Sequence, residues 1–190
     1  TVSLDSLDDG IFKEMSGSSH NIQHVLDGIR IAGKVGLTPL KINTVVQKNI
    51  NDHKIMDLAR YFRGTGHILR FIEFMDVGSL NNWNMDNVVP SRELIDRIND
   101  EFPLELLPPN YLGEVASRYK YKDGGGEIGF ISSVTLPFCG DCERVRISAD
   151  GKLVTCLFAS EGFDLKRQMR NGMTDLELEN MVAGVWTGRT

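Results

Sequence analysis

Three cysteines and two arginines that lie close together in the sequence are the residues best suited to perform chemistry. The stretch PFCGDCERVRISADGKLVTCLF contains every cysteine of the chain: Cys139, Cys142 and Cys156. Arg144 and Arg146 follow the second cysteine, and residues two apart on an extended strand share a face. Three thiolates can hold a metal centre, and paired guanidinium groups suit phosphate oxygens. The stretch therefore predicts a metal site beside a phosphate-binding surface.

Three interpretations of the thiols remain open. A structural zinc site needs four ligands, and because the four histidines lie within residues 1–67, the fourth would be Asp141 or Glu143. A disulfide with one free thiol fits poorly in a chain expected in the cytoplasm, where thiols stay reduced. A [4Fe–4S] cluster held by three thiolates leaves one iron open for another ligand. The residue types favour the cluster over zinc, and zinc over a disulfide.

The segment RISADGKLV predicts a β-hairpin, and its register decides which side chains share a face. A two-residue loop would place Cys156 opposite Val145, whereas a three-residue loop over 149–151 would place it opposite Arg144. We favour the second arrangement, which ends in a left-handed glycine. It returns Cys156 toward the first two cysteines, on the face that carries both arginines.

The residues upstream predict an α/β scaffold for this stretch. Strand-like and helix-like segments alternate over residues 1–75, which is typical of parallel βαβ units. A further helix is expected to begin with a capping box at Ser91, followed by a break at LLPPN. GEVASRYKYKDGGGEIGFISS predicts an antiparallel hairpin around a glycine-rich turn. Two helices, near Asp164–Arg170 and Thr174–Trp186, are expected to close the chain.

Polar side chains on apolar strands are further candidates. Lys41 and Asn43 share a face of the strand LKINTVV, and Arg70 lies within the apolar strand LRFIEFM. Inward polar residues near the carboxyl ends of barrel strands commonly serve chemistry. The structural alternatives are a lysine that extends along a strand edge and an arginine in a buried ion pair. Taken alone, Met75 indicates core packing and Ser3 indicates nothing.

Composition restricts the possible partners. The net charge of -5 disfavours nonspecific binding to nucleic acid or to an anionic membrane. No run approaches the roughly 20 apolar residues that span a bilayer, and no secretory leader is visible. We therefore expect a cytoplasmic protein with no nucleic-acid or membrane partner. Because the chain opens inside a strand-like pattern without a Met, we expect it to be part of a longer protein.

These residues resemble the GTP 3′,8-cyclase family, the radical S-adenosylmethionine (SAM) enzymes that open molybdenum cofactor biosynthesis. The similarity runs through TVSLDSLDD, LKINTVVQKNIND, LRFIEFMDVG, GEVASRY and GEIGFISSV, and is most specific at C-x2-C-x-R-x-R…C. It implies the C-terminal part of an incomplete TIM-type βα barrel over residues 1–108. It also implies an extension over residues 109–190, with an antiparallel hairpin that carries a second [4Fe–4S] site and with C-terminal helices.

The resemblance implies a reaction as well. A SAM-derived radical converts GTP to (8S)-3′,8-cyclo-7,8-dihydroguanosine 5′-triphosphate, while the second cluster binds guanine through its open iron. The family is expected to be homodimeric and to act before a cyclic pyranopterin monophosphate synthase. Its C-x3-C-x2-C motif for the SAM-cleaving cluster is not in this sequence, so one of two clusters is expected here and the chain alone is expected to be inactive.

By position, the resemblance also assigns roles to individual residues, none of them catalytic. The ligands of the second cluster would be Cys139, Cys142 and Cys156. The GTP-binding residues would be Lys41, Arg70, Arg144 and Arg146. The SAM-binding residues would be Ser3 and Met75. Two alternatives stay open: a non-catalytic three-cysteine metal- or nucleotide-binding module, and a radical SAM relative whose auxiliary cluster serves peptides, which the arginine pair disfavours.

Overall fold

A computed structural model describes residues 1–77, 83–140 and 142–188 of the chain. Two compact units are formed, Thr1–Asp141 and Cys142–Thr190. Within the described ranges, no helix has the length and apolar character needed to cross a bilayer.

A six-stranded mixed sheet organises the first unit. In chain order its strands are β1 (Val2–Ser3), β2 (Lys41–Val46), β3 (Ile68–Glu73), β4 (Leu104–Leu107), β5 (Ser117–Tyr121) and β6 (Glu127–Ile131). Their order across the sheet is β1-β2-β3-β6-β5-β4. The first four in this order are parallel, and β5 and β4 add antiparallel pairs. The predicted α/β class is therefore confirmed, and the predicted hairpin, β5–β6, extends the parallel sheet.

Four helices accompany this sheet. They are α1 (Asp9–Ser16), α2 (Gln23–Lys34), α3 (Ile55–Phe62) and α4 (Ser91–Glu101), with short 3-10 turns at Asp52–Lys54 and Met85–Asn87. Asp8 caps α1, because its side chain accepts the N–H of Ile11. The predicted capping box at Ser91 is wrong. Ser91 is the first residue of α4 and follows the N-cap Pro90, which provides no side-chain cap. The predicted break at LLPPN is also wrong in part, because its two leucines belong to β4.

The core lies on one face of the sheet, because alternate strand residues point to opposite sides. The residues of β2, β3 and β6 that are buried on this face are Ile42, Thr44, Val46, Leu69, Phe71, Glu73, Ile128 and Phe130. Apolar residues of α3 and α4 join the same hydrophobic cluster: Ile55, Leu58, Ala59, Phe62, Leu94 and Ile98. The opposite face of β2 and β3 is less buried and carries Lys41, Asn43 and Arg70. We call it the open face.

The second unit contains a small antiparallel sheet and two helices. The strands are β7 (Arg146–Ile147), β8 (Lys152–Val154) and β9 (Phe163–Asp164), in that order across the sheet. The helices α5 (Leu165–Arg170) and α6 (Asp175–Thr187) confirm the two predicted C-terminal helices. Asp164 caps α5 and Thr174 forms a capping box with Glu177 at α6. Strand β9 was not predicted from the sequence.

Candidate functional site

The register of the β7–β8 hairpin is the one that we favoured from the sequence. Arg146 pairs with Val154, and the same register continued by two residues places Cys156 opposite Arg144. The three-residue loop is closed by the N–H of Ser148, which donates to the carbonyl of Lys152 at 2.9 Å. Gly151 ends the loop at φ +85°, a conformation that favours glycine. The predicted three-residue loop is confirmed.

Arg144 contacts one of the predicted cluster ligands directly. Its Nε donates to Cys142 Sγ at 3.3 Å and its Nη2 donates to the same sulfur at 3.1 Å. A guanidinium group stabilises a thiolate in this way, since hydrogen bonds from a charged donor are stronger than neutral ones. The sequence predicted a phosphate contact for Arg144 and gave no sign of this sulfur contact.

The three cysteines have the chemistry of a thiolate donor set. Cys139 and Cys156 are exposed, Cys142 is half-buried, and within the described part of the chain no disulfide joins them. The N–H of Phe158 donates to Cys156 Sγ at 3.4 Å, so two of the three sulfurs accept hydrogen bonds, as sulfurs of iron–sulfur sites do. Among the residues that the structure describes, no three His, Cys, Asp or Glu side chains are arranged around a metal position. The cluster assignment stays a prediction.

A polar row crosses the open face of the first unit's sheet. Ser3 pairs with Asn43, Asn43 pairs with Arg70, and Arg70 pairs with Gly129. Arg70 Nε donates to Asn43 Oδ1 at 2.8 Å. The guanidinium of Arg70 is thus oriented by the neutral amide of Asn43. The structure therefore brings together two residues, Ser3 and Arg70, that the sequence proposed separately.

Gly129 gives the Arg70 side chain its space. A Cβ atom at Gly129 would lie 3.2 Å from Arg70 Cγ and 3.6 Å from Ala116 Cβ. Such a separation from Cγ is tighter than ordinary contact, so a larger residue at position 129 would require the Arg70 side chain to shift. Sequence reasoning missed this residue, although an isolated glycine within a strand indicates a close approach.

The guanidinium of Arg70 is a fixed positive charge in a partly buried position. Burial lowers the pKa of Arg70, and the nearby Tyr111 and Glu114 oppose this effect. An arginine keeps its charge through shifts of this kind. A cation held by a neutral partner at a partly buried site is suited to an anionic ligand.

The positions of Lys41 and Met75 give less support to the ligand-binding roles predicted for them. Lys41 is exposed and is the first residue of β2, two residues before Asn43 on the same face. The argument that polar residues near carboxyl ends of strands serve chemistry therefore does not apply to it. Met75 follows the end of β3 by two residues and is half-buried.

Glu73 is a buried carboxylate that the sequence analysis did not single out. Its side chain accepts the N–H of Ser91 at 2.7 Å, the N–H groups of Val134 and Thr135 at 2.8 Å each, and the Thr135 hydroxyl at 2.6 Å. Burial raises the pKa of Glu73, but these hydrogen bonds outweigh it and hold the pKa below its ordinary value. Its carbonyl also accepts the Ser133 hydroxyl at 3.1 Å. Glu73 thereby fixes the segment that leads to Cys139.

Comparison with known proteins identifies the family. Residues 67–190 match the family described as Molybdenum Cofactor Synthesis C. The chain belongs to this family. Curated proteins similar to this chain include a GTP 3′,8-cyclase of Xanthomonas axonopodis pv. citri. It is 55% identical over 172 residues, which are 90% of this chain and 52% of the relative. The GTP 3′,8-cyclase of Acidothermus cellulolyticus is 43% identical over 194 residues, which are 100% of this chain and 54% of the relative.

A third relative is similar to the chain over nearly its whole length. The GTP 3′,8-cyclase of Staphylococcus haemolyticus is 42% identical over 189 residues, which are 99% of this chain and 55% of the relative. The chain thus spans about half the length of the curated relatives that it matches. The family resemblance expected from the sequence is confirmed. The matched range 67–190 includes Arg70, Met75, both hairpin arginines and all three cysteines.

Proposed function

We propose that this chain provides the substrate-cluster part of a GTP 3′,8-cyclase, a radical SAM lyase of molybdenum cofactor biosynthesis. In this proposal Cys139, Cys142 and Cys156 hold a [4Fe–4S] cluster whose open iron binds the guanine of GTP. The observation that carries the proposal is the hairpin register, which returns Cys156 opposite Arg144 in a family whose matched relatives are named for this activity. The product of the whole enzyme would be (8S)-3′,8-cyclo-7,8-dihydroguanosine 5′-triphosphate.

Arg144 and Arg146 would bind the triphosphate. Arg146 is the first residue of β7 and Arg144 precedes it by two residues, so an extended backbone would direct both to the same face. A guanidinium group carries five N–H donors, and the contact of Arg144 with Cys142 uses two of them. The arginine pair supports a nucleotide over a peptide substrate, because a peptide brings no triphosphate.

The open face of the first unit would contribute the remaining ligand contacts. Arg70, oriented by Asn43, and Lys41 would contact GTP, while Ser3 and Met75 would contact SAM. Four parallel strands with helices on one side and polar residues on the other support a wall of an incomplete TIM-type barrel. When bound, SAM and the clusters supply the radical chemistry. The residues of this chain bind and orient the nucleotide.

The wider assignments follow from the same family membership. We propose that residues 1–108 form the C-terminal part of the barrel and residues 109–190 the cluster-bearing extension, in which β5 and β6 continue the sheet of the barrel part. The enzyme would be a cytoplasmic homodimer that passes its product to a cyclic pyranopterin monophosphate synthase. The three cysteines are all assigned to one cluster, so the second, SAM-cleaving cluster is not assigned to residues of this chain, and we expect the chain alone to be inactive.

Anaerobic reconstitution of the chain with iron and sulfide tests the proposal. We expect a brown protein with about four irons per chain, and loss of that iron when any of the three cysteines is replaced by alanine. GTP should perturb the paramagnetic resonance of the reduced cluster, and the R144Q/R146Q double variant should not respond. The matched control is Arg92→Gln/Arg97→Gln on α4, which should respond like the wild type.

The same experiment identifies the alternatives. A colourless protein that binds zinc would refute the cluster and support the non-catalytic three-cysteine module. A cluster whose resonance changes with peptides and not with GTP would support the peptide-modifying relative.

A further inference from the structure

An apolar groove lies between helix α6 and the β7–β8 hairpin of the second unit. Val145 and Leu153 line it from the hairpin, and Leu178, Val182 and Trp186 are among the residues that line it from α6. The groove is open to solvent and has a volume of about 740 Å³, which is typical of clefts that bind a ligand.

The groove and Arg146 lie on opposite faces of the hairpin. Arg146 pairs with Val154 across the two strands, so these two side chains share a face. Leu153 precedes Val154 by one residue and therefore points to the other side. The groove is thus separate from the face of Arg146, to which we assign the nucleotide phosphates.

Helix α6 has an apolar stripe that the described part of the chain covers only in part. Leu178, Val182 and Val185 recur at helical spacing, so they share one side of the helix. All three are half-buried, and none of the 13 residues of α6 is fully buried. A contiguous apolar surface of this kind commonly marks a contact with another molecule.

The rim of the groove is acidic. Glu143, Asp175 and Glu179 line it and are exposed. No ion pair joins any of the three to a residue that the structure describes. Among the described residues that line the groove, none is Lys, Arg or His. Charge complementarity therefore favours an occupant that carries basic side chains beside apolar ones.

The same charges argue against a second copy of this chain as the occupant. A two-fold symmetric contact places the same surface of both copies together, so the acidic rim would face itself. Like charges that face each other across an interface disfavour the contact. The occupant is therefore expected to be a different polypeptide.

The length of the groove indicates the form of this occupant. It follows α6 from Asp175 to Trp186, which is about 16 Å at a rise of 1.5 Å per residue. About three turns of a partner helix match this length. An amphipathic helix in an apolar groove is a common mode of peptide recognition.

We propose that this groove is a docking site for an amphipathic helical segment of another protein, with apolar residues on one side and Lys or Arg beside them. Only residues of α6 and the hairpin take part. The docking site is therefore independent of the proposed cluster and of GTP binding.

A synthetic helical peptide of about 14 residues, with Leu at helical spacing and Lys on either side, tests this on the full chain without iron or nucleotide. Fluorescence anisotropy of the labelled peptide measures binding. The wild type should bind it roughly ten-fold more tightly than a scrambled peptide of the same composition. Val182→Asp should weaken binding by a similar factor. The matched control is Leu176→Asp, because Leu176 is an exposed residue of α6 that does not line the groove.

A charge reversal at the rim provides a second test that leaves the apolar stripe intact. Glu179→Lys should weaken binding of the basic peptide several-fold and strengthen binding of a peptide with Glu in place of Lys. Its matched control is Glu161→Lys, since Glu161 is an exposed glutamate of the same unit outside the groove. Circular dichroism shows whether each variant keeps its helices, and Glu179→Lys decides the question if Val182→Asp does not.

Three results would overturn the proposal. The first is equal binding of the basic and scrambled peptides by the wild type, and the second is equal affinity of Val182→Asp and Leu176→Asp. The third is a dimer in sedimentation experiments that Val182→Asp abolishes, because the groove would then belong to a second copy of the chain. Iron uptake is not measured in these experiments, so failure of the docking site leaves the proposed function standing.

Discussion

Replacing Glu73 with glutamine changes one atom at a buried site that accepts four hydrogen bonds. Oε1 accepts the N–H of Ser91 and the Thr135 hydroxyl, and Oε2 accepts the N–H groups of Val134 and Thr135. The amide NH2 does least harm in place of Oε1, because a hydroxyl can rotate to accept whereas a backbone N–H cannot. Even there, the N–H of Ser91 faces a second donor and loses its acceptor.

The expected destabilisation follows from these contacts. An unpaired buried N–H costs about 1–3 kcal/mol, and hydrogen bonds to a charged group contribute about 1.5–3 kcal/mol against about 1 kcal/mol for neutral ones. Glu73 is 1% exposed, so solvent does not replace what is lost. Bonds within one network are not additive. We therefore expect Glu73→Gln to lower the free energy of unfolding by about 2–4 kcal/mol at pH 7.

The difference in the free energy of unfolding between the wild type and Glu73→Gln should depend on pH in a defined direction. The hydrogen bonds hold the folded-state pKa of Glu73 below its ordinary value of 4.5. A lowered carboxylate pKa stabilises the fold above the unfolded-state pKa, and this stabilisation is lost as the pH falls through the folded-state value. Glutamine does not titrate. The advantage of the wild type should thus be constant from neutral pH down to about 5 and shrink at lower pH.

Urea unfolding followed by circular dichroism measures the difference, and hydrogen exchange of the peptides that contain Ser91 and residues 134–135 reports the local effect. The matched control is Glu105→Gln, because Glu105 is an exposed glutamate that pairs with Lys120 at 3.1 Å. Its effect should stay within about 0.5 kcal/mol. If Glu73→Gln is as mild as the control and exchange is unchanged, Glu73 does not hold the segment as a charged acceptor.

Three further substitutions test single features of the structure. Gly129→Ala places a methyl group 3.2 Å from Arg70 Cγ. The affinity for GTP, measured by calorimetry, should therefore fall several-fold, while the free energy of unfolding changes by less than about 1 kcal/mol. Unchanged affinity would contradict the proposed role of Arg70. Gly151→Ala puts alanine at φ +85° and its Cβ 2.7 Å from Lys166 Cβ. The free energy of unfolding in urea should therefore fall by at least about 1 kcal/mol. An unchanged free energy of unfolding would contradict the hairpin geometry. Thr174→Ala removes the capping box of α6 and should cost about 1 kcal/mol with reduced helical dichroism, and an unchanged helix signal would count against the cap.

Features set by neighbouring residues were predictable from the sequence. The three-residue loop depends on Ser148, Asp150 and Gly151, which interact within a few residues of one another. The cap at Asp8 and the capping box at Thr174 are local for the same reason. The alternation of strands and helices likewise follows from short-range periodicity.

Features set by distant partners were not predictable in this way. The two leucines before Pro108 looked like the start of a break, yet they form a strand because β5 pairs with them. Ser91 has the residue type of a cap, but the carboxylate of Glu73 from 18 residues away accepts its N–H. A sequence shows that a residue can accept a hydrogen bond and does not show which distant group donates it.

The candidate site shows the same division. The sequence places Asn43 and Arg70 each on one strand face, but their hydrogen bond needs the parallel register that joins residues 27 positions apart. The spacing of Arg144 and Cys142 is visible in the sequence, yet phosphate and sulfur are both plausible acceptors for an arginine two residues from a cysteine. The sulfur contact depends on the side-chain direction, which only the structure supplies.

The arginines of this acidic chain differ in the partners that their guanidinium groups contact. Arg60 and Arg118 lie against glutamates, Arg118 through two hydrogen bonds of 2.8 Å to Glu127, and such pairs leave little net charge for a ligand. Arg70 instead bonds to the neutral Asn43 amide, although burial disfavours its charge. No carboxylate among the described residues forms a hydrogen bond or ion pair with Arg70, and a partly buried cation in this position is costly unless something else compensates it. An anionic ligand on the open face would provide that compensation, even in a protein of net charge -5.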